Sequence, residues 1–211
     1  MNSLDGVMVI GLTGQTGAGK STVSQIFVDN AFQLIDADKI SRLVVTRGSH
    51  CLSDLCDCFS DEILTPDGEL DRKKMASIAF SDPNKLEMLN SIMYPYIMGE
   101  ILRMIHHHSQ QNHKLILLDA PTLFESRADD FCDVIISVVA DADVRKQRIM
   151  ARDHISEEEA DLRMQAQLTE AYFREHSDIV LDNNGTLEVL IQSTQEVVGK
   201  IISYYHDKYK N

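Results

Sequence analysis

The sequence predicts an α/β fold, a parallel sheet with helices on both faces, and three observations carry that prediction. Short apolar runs rich in β-formers recur between helical patterns along the chain. The first run ends in a glycine-rich loop that opens a helix. The first three runs end in Gly14, Asp36 and Asp119, and ligands of such sheets bind beyond the carboxyl ends of the strands.

The first strand is read at Val7–Thr13. It is followed by Gly14-Gln15-Thr16-Gly17-Ala18-Gly19-Lys20-Ser21-Thr22, which matches the phosphate-binding pattern G-x-x-x-x-G-K-[ST]. Glycines let the backbone close around oxygen atoms with its N–H groups inward, and the next helix adds the positive end of its dipole. Val23, Ile26 and Phe27 give that helix, over Ser21–Asn30, its apolar face. Lys20 would reach the β- and γ-phosphates, and the Ser21 hydroxyl would take a place on Mg²⁺. These residues predict a nucleoside triphosphate site.

The second strand, Phe32–Ile35, leads into Asp36-Ala-Asp38. A carboxylate here can orient or deprotonate an acceptor hydroxyl, although either aspartate can instead cap a helix from Lys39. From His50 to His113 the strand rhythm stops, and the segment reads as a helical insertion suited to an acceptor substrate. Thr65-Pro-Asp-Gly68 is a turn, Asp71 can cap a helix from Arg72, and Met93-Tyr94-Pro95 is expected to bend or break a helix. His106-His107-His108 reads as a solvated helix end.

Leu115–Leu118 is the third strand, and Asp119 after it suits Mg²⁺. Val134–Val139 and Ile179–Leu181 complete the sheet. Arg145, Arg148 and Arg152 fall on one helix face and are the densest basic cluster. Arginine forks suit phosphate oxygens, against the alternative of a solvent face paired with Asp141 and Asp153. Glu157–Glu159 reads as solvated helix, and Leu187 to Tyr205 as an amphipathic helix packed on the core.

With 211 residues and a net charge of −13, the chain has the size of one domain and an acidic surface that disfavours nucleic acid and anionic membrane. No apolar stretch has spanning length, and the start carries no signal-type pattern, so the expected location is cytoplasmic. The 4 cysteines form no zinc pattern and are expected to be reduced structural thiols. A GTP switch is disfavoured because no clear N-K-x-D guanine-reading segment is present and Asp119-Ala-Pro-Thr122 lacks the glycine of D-x-x-G.

Taken together, the motifs resemble the dephospho-CoA kinase family. Gly11-Leu-Thr-Gly14 through Gly19-Lys-Ser-Thr22, Asp36-Ala-Asp38 with Arg42, Asp67-Gly-Glu-Leu-Asp-Arg72 and Asp119-Ala-Pro-Thr-Leu-Phe-Glu125 all match it in order. Arg148, Arg152 and Gln167 match its lid, and Asp178 to Gly185 its last motif. The resemblance implies a P-loop kinase fold with a core about 1–49 and 114–211, a helical acceptor-side insertion about 50–113 and a lid about 143–175. It implies ATP-dependent phosphorylation of the ribose 3′-hydroxyl of dephospho-CoA, with Mg²⁺, by a monomer or weak homo-oligomer. Asp38 would be the acceptor-side base, with Asp36 as the other acid; the residues alone leave open which takes the proton. Lys20 and Arg148 would act on the phosphates, Arg152 would close with the lid, and Asn184 would lie near the adenine. Arg42, Pro121 and Leu123 would meet the acceptor. The chain departs from the family pattern at Tyr94 (usually histidine), Thr122 (usually leucine) and Arg145 (commonly glutamine).

Overall fold

Five strands, β1 (Met8–Gly14), β2 (Gln33–Asp36), β3 (Leu115–Asp119), β4 (Val134–Val139) and β5 (Ile179–Asp182), form one sheet in the order β2-β3-β1-β4-β5. They belong to a computed structural model that describes residues 6–209. The pairs β1/β3, β1/β4 and β4/β5 are parallel, in a register that sets Leu12 beside Asp119 and Gly14 beside Val138. All of β1 is buried, as a central strand covered on both faces must be. Each sequence-predicted strand is present, displaced by at most one residue at its ends.

Helices α1 (Lys20–Asp29) and α9 (Leu187–Tyr209) pack together beside this sheet. Phe27, Leu190, Val197, Val198 and Ile201 join Met8, Ile10 and Leu12 in the main core, and Phe27 meets Phe32 edge-on with ring centroids 4.9 Å apart. The predicted stripe of the last helix therefore faces inward, except for Leu187 at its start, which is exposed. Emptying the Phe27 site to alanine would cost about 3–5 kcal/mol.

The described chain divides into two compact units, residues 1–35 with 106–211 and residues 36–105. In the second, which begins with α2 (Ala37–Leu43), the helices α3 (His50–Phe59), α4 (Arg72–Phe80) and the first half of α5 (Pro83–Gln110) pack around a separate core of Val45, Leu55, Phe59, Ile63 and Met75. Asp71 caps α4 by accepting from the Lys74 N–H at 3.0 Å, a contact worth about 1 kcal/mol. The turn at Thr65–Gly68 closes through the Gly68 N–H to the Thr65 carbonyl at 2.9 Å.

Two expectations about this unit are corrected. The helix after β2 begins at Ala37 instead of Lys39, because Asp36 itself is the cap. Pro95 lies inside α5 and does not end it. Proline removes a helix hydrogen bond and crowds the preceding turn, but Ile92, Met93 and Tyr96 pack on the small core on either side of it. Pro95 and Ser91, whose carbonyl loses its partner, both face solvent.

The remaining helices, α6 (Ala142–Asp153), α7 (Glu157–Gln165) and α8 (Glu170–His176), lie between β4 and β5 in sequence. Glu157–Glu159 is exposed, as expected, and Glu159 completes a capping box with Ser156. His106–His108 form the end of α5, where His108 is half-buried and its Nδ1 meets no partner among the described residues. The 4 cysteines are free thiols, and burial pushes Cys51 up to about 11, with Asp54 adding to it. No helix among the described residues is long and apolar enough to cross a membrane.

Candidate active site

The loop after β1 takes its shape from glycine. Gly14 has φ 147°, and a Cβ there would lie 2.4 Å from the Val138 carbonyl oxygen. At Gly19, with φ 101°, a Cβ would lie 2.4 Å from Nδ2 of Asn183. No side chain fits at either place. Between them the Gln15 N–H donates to the Val138 carbonyl at 3.2 Å and the Ala18 N–H to the Gln15 carbonyl at 3.1 Å. The Thr16 N–H donates to Oε1 of Gln167 at 2.8 Å, so the segment after α7 reaches the loop directly.

Gly19 is the N-cap of α1, and no side chain caps that helix. By contrast α2, α3, α4, α7 and α8 each have a side-chain cap. The first N–H groups of a helix have no intrahelical acceptor, so α1 opens with donors available to an anion. Lys20 and Ser21 stand in that first turn, with Thr22 behind them.

The Lys20 ammonium pairs with the Asp119 carboxylate at the end of β3, both largely buried. Adjacent strands thus bring the cation of the loop and the acid of the third strand together. Ser21 and Asp119 are hard oxygen donors of the kind Mg²⁺ takes. No group of three or more His, Cys, Asp or Glu among the described residues is placed to hold a metal ion.

The three arginines of α6 have different surroundings. Arg148 Nη1 donates to the Asn183 carbonyl at 3.1 Å and touches the Gly17 carbonyl at 3.5 Å, so it lies against the loop. Arg152 instead forks onto Asp153 through two bonds of 2.8 Å, and Arg163 holds the same carboxylate at 2.6 Å. Those hydrogen bonds hold Asp153 down to about 2. The alternative of an ion-paired face therefore describes Arg152 in this structure. Arg145, read from sequence on the same exposed face, is 6% exposed, and its Nε donates to the Ala140 carbonyl at 2.9 Å.

At the end of β5 the structure separates two neighbouring amides. Asn183 is buried, donating its N–H to the Val139 carbonyl at 2.8 Å and its Nδ2 to the Ala18 carbonyl at 2.7 Å. Asn184 is exposed and bonded to Asp141, accepting from its N–H at 2.7 Å and donating to its carboxylate at 2.9 Å. Sequence reasoning placed Asn184 near the adenine and did not single out Asn183, which supports the loop. Strand alternation would have put residue 183 inward, following Leu181.

In the second unit, Asp36 accepts from the Lys39 N–H at 3.0 Å and pairs with the Lys39 ammonium at 3.3 Å. Asp38 follows in the first turn of α2 and is exposed, and so is Arg42 in the last turn, whose carbonyl accepts from Arg72 at 3.5 Å. After β3, the Pro121 carbonyl accepts from the Thr13 hydroxyl at 3.2 Å. Leu123 is fully buried against β1, where a Cβ on Gly11 would meet its Cδ2 at 2.9 Å. The Leu123 side chain therefore packs the motif in place and presents no surface to an acceptor, contrary to the sequence expectation.

A parallel sheet of this order, with an uncapped helix after a glycine loop and a lysine set on the neighbouring strand's acid, defines a P-loop kinase. The chain belongs to the dephospho-CoA kinase family, whose model matches residues 8–188. A dephospho-CoA kinase of Arabidopsis thaliana is 38% identical over 193 residues, which cover 92% of this chain and 83% of that one. A crystal structure of a Thermus thermophilus protein is 29% identical with TM-score 0.79, covering 92% of this chain and 97% of the other. The dephospho-CoA kinase of Campylobacter jejuni shares the fold at 22% identity and TM-score 0.62, over 94% and 98% of the two chains.

Proposed function

We propose that this protein transfers the γ-phosphoryl group of ATP to the ribose 3′-hydroxyl of dephospho-CoA, yielding CoA and ADP. The observation that carries the reading is the uncapped start of α1 beside the Lys20–Asp119 pair, in a chain of this family. The first-turn N–H groups and Lys20 bind the β- and γ-phosphates and draw charge toward the bridging oxygen. Lys20 exchanges its bond to Asp119 for one to phosphate, which frees the carboxylate. Ser21 and Asp119 would hold Mg²⁺, which would supply charge neutralisation for the phosphates. Arg148, already on the Gly17 carbonyl, keeps the loop closed around the group that moves.

Asp38 orients the acceptor hydroxyl in line with the γ-phosphorus and takes its proton, while Asp36 caps α2 and fixes the turn that presents Asp38. Arg42 supports the acceptor. The helical segment over α6 to α8 excludes water, which suppresses ATP hydrolysis. The reading also carries a cytoplasmic location, where a reducing milieu keeps the thiols free.

The test is incubation of the purified protein with Mg-ATP and dephospho-CoA, alongside shikimate and nucleoside monophosphates as rival acceptors. Dephospho-CoA should gain one phosphate on its ribose while the rivals stay unmodified. Phosphorylation of a rival in its place overturns the proposal.

A further inference from the structure

We infer that Arg145 is a positioning residue for the nucleotide, and that its guanidinium edge and the Gln15 side-chain oxygen become partners when the loop closes on phosphates. The inference rests on the reading of residues 14–22 as a nucleotide cradle.

Two buried polar atoms in this region lack a partner among the described residues: Nη1 of Arg145 and Oε1 of Gln15. Their side chains are nearly inaccessible, at 6% and 5% exposure. Burying a charged donor or an amide oxygen without a hydrogen bond is costly, and native folds keep such atoms for a reason. Here one is a cationic donor and the other a neutral acceptor, so each has what the other lacks.

Both are anchored at the carboxyl end of β4, an interior strand. The backbone N–H of Gln15 is bonded to the Val138 carbonyl, and Nε of Arg145 to the Ala140 carbonyl. Carbonyls two residues apart along an extended chain point the same way, about 7 Å apart. That direction faces β1, since Gly14 pairs with Val138. The Val139 carbonyl between them points the other way and takes the Asn183 N–H. The backbones also abut: a Cβ on Gly17 would lie 2.8 Å from the Arg145 carbonyl oxygen. Joining the two atoms requires the loop to move, and phosphate binding to its N–H groups would supply the pull. The joined pair stiffens the loop from behind and places a buried positive charge under the phosphates.

The pair is a feature of this chain. Glutamine, common at position 145 in the resemblance, has its Nε2 the same number of bonds from Cα as the arginine Nε. It can bond the Ala140 carbonyl but has no further arm. Arg145→Gln therefore removes the extra donor with little change to the local fold, and Gln15→Met removes the acceptor at nearly constant volume.

The experiment is a double-mutant cycle on Mg-ADP affinity by titration calorimetry, with Tm of each nucleotide-free protein recorded beside it. Each single variant should bind about tenfold more weakly, and the double variant no weaker than either, a coupling of ~1.4 kcal/mol. Nucleotide-free Tm values should show no such coupling, because the proposed bond forms only when the loop holds phosphates. Losses that multiply to about a hundredfold, or singles that bind like wild type, overturn the inference while leaving the cradle intact. If Arg145→Gln does not fold, Arg145→Lys closes the cycle to the same criterion. A wild-type protein that fails to bind Mg-ADP overturns the cradle and this inference together.

Discussion

Lys20 and Asp38 separate the two halves of the chemistry. Lys20 is largely buried, and its ammonium sits on Asp119. Lys20→Ala would remove the cation that follows charge onto the leaving oxygen, and kcat should fall roughly a hundredfold or more. It would also strip Asp119 of its partner, so the KM for ATP should rise in the same steady-state assay. An enzyme that keeps both constants would place the phosphates elsewhere. Asp38 makes the opposite prediction. Asp36 serves as the cap of α2, and the proposed base is the exposed Asp38 in the first turn of that helix. Asp38→Asn keeps the shape and loses the base, so kcat should drop by about 10²–10⁴. ATP affinity, read by binding a non-hydrolysable analogue, should be unchanged. An active asparagine variant would move the base to another residue.

Along α6 and α7 the decisive contact is the shared grip of Arg152 and Arg163 on Asp153, at the junction of the two helices. Those bonds lower the carboxyl from 3.8 to about 2. A depressed acid contributes stability that is present above its unfolded value and lost as pH falls through its folded one. The difference in Tm between wild type and Asp153→Asn should therefore be steady from neutral pH down to about 5. It should shrink as pH falls through the window from 3.8 to about 2. A difference independent of pH would show that the asparagine destabilises by packing alone. This scale also shows what the sequence could tell. The places of Gly14, Lys20 and Asp119 were readable because they are tied to chain order and strand ends, which parallel topology preserves. The cap at Asp71 was readable because capping is local. Arg145 was not, because spacing alone puts it beside Arg148 and Arg152, and only tertiary packing buries it while leaving Arg152 in solvent. Pro95 was misread for the same reason: core contacts on either side of it carry α5 through a residue that local rules would use as a stop. Leu123 was given an acceptor role by its motif, although its contact with Gly11 spans more than a hundred residues of sequence.

At the scale of the whole molecule, the residues proposed for the phosphates and those proposed for the acceptor hydroxyl fall in different compact units. Residues 14–22, Asp119, Arg148 and Asn183 lie in the unit built from 1–35 and 106–211, while Asp36, Asp38 and Arg42 lie in 36–105. Each unit has a core of its own, so local opening in one need not open the other. A ligand that binds only the native form stabilises what it touches, by ~2.7 kcal/mol at a hundred times its Kd. Hydrogen exchange should resolve this by segment. Mg-ADP alone should slow exchange in residues 14–22, in α6 and in the segment after β5, and leave α3 and α4 unchanged. Adding dephospho-CoA should extend protection into 36–105, starting at α2, since the acceptor is assigned to that unit. Equal protection of α3 and α4 by Mg-ADP alone would mean that the nucleotide already engages both units. The division of labour between loop and insertion would then have to be abandoned, even if the reaction itself were confirmed.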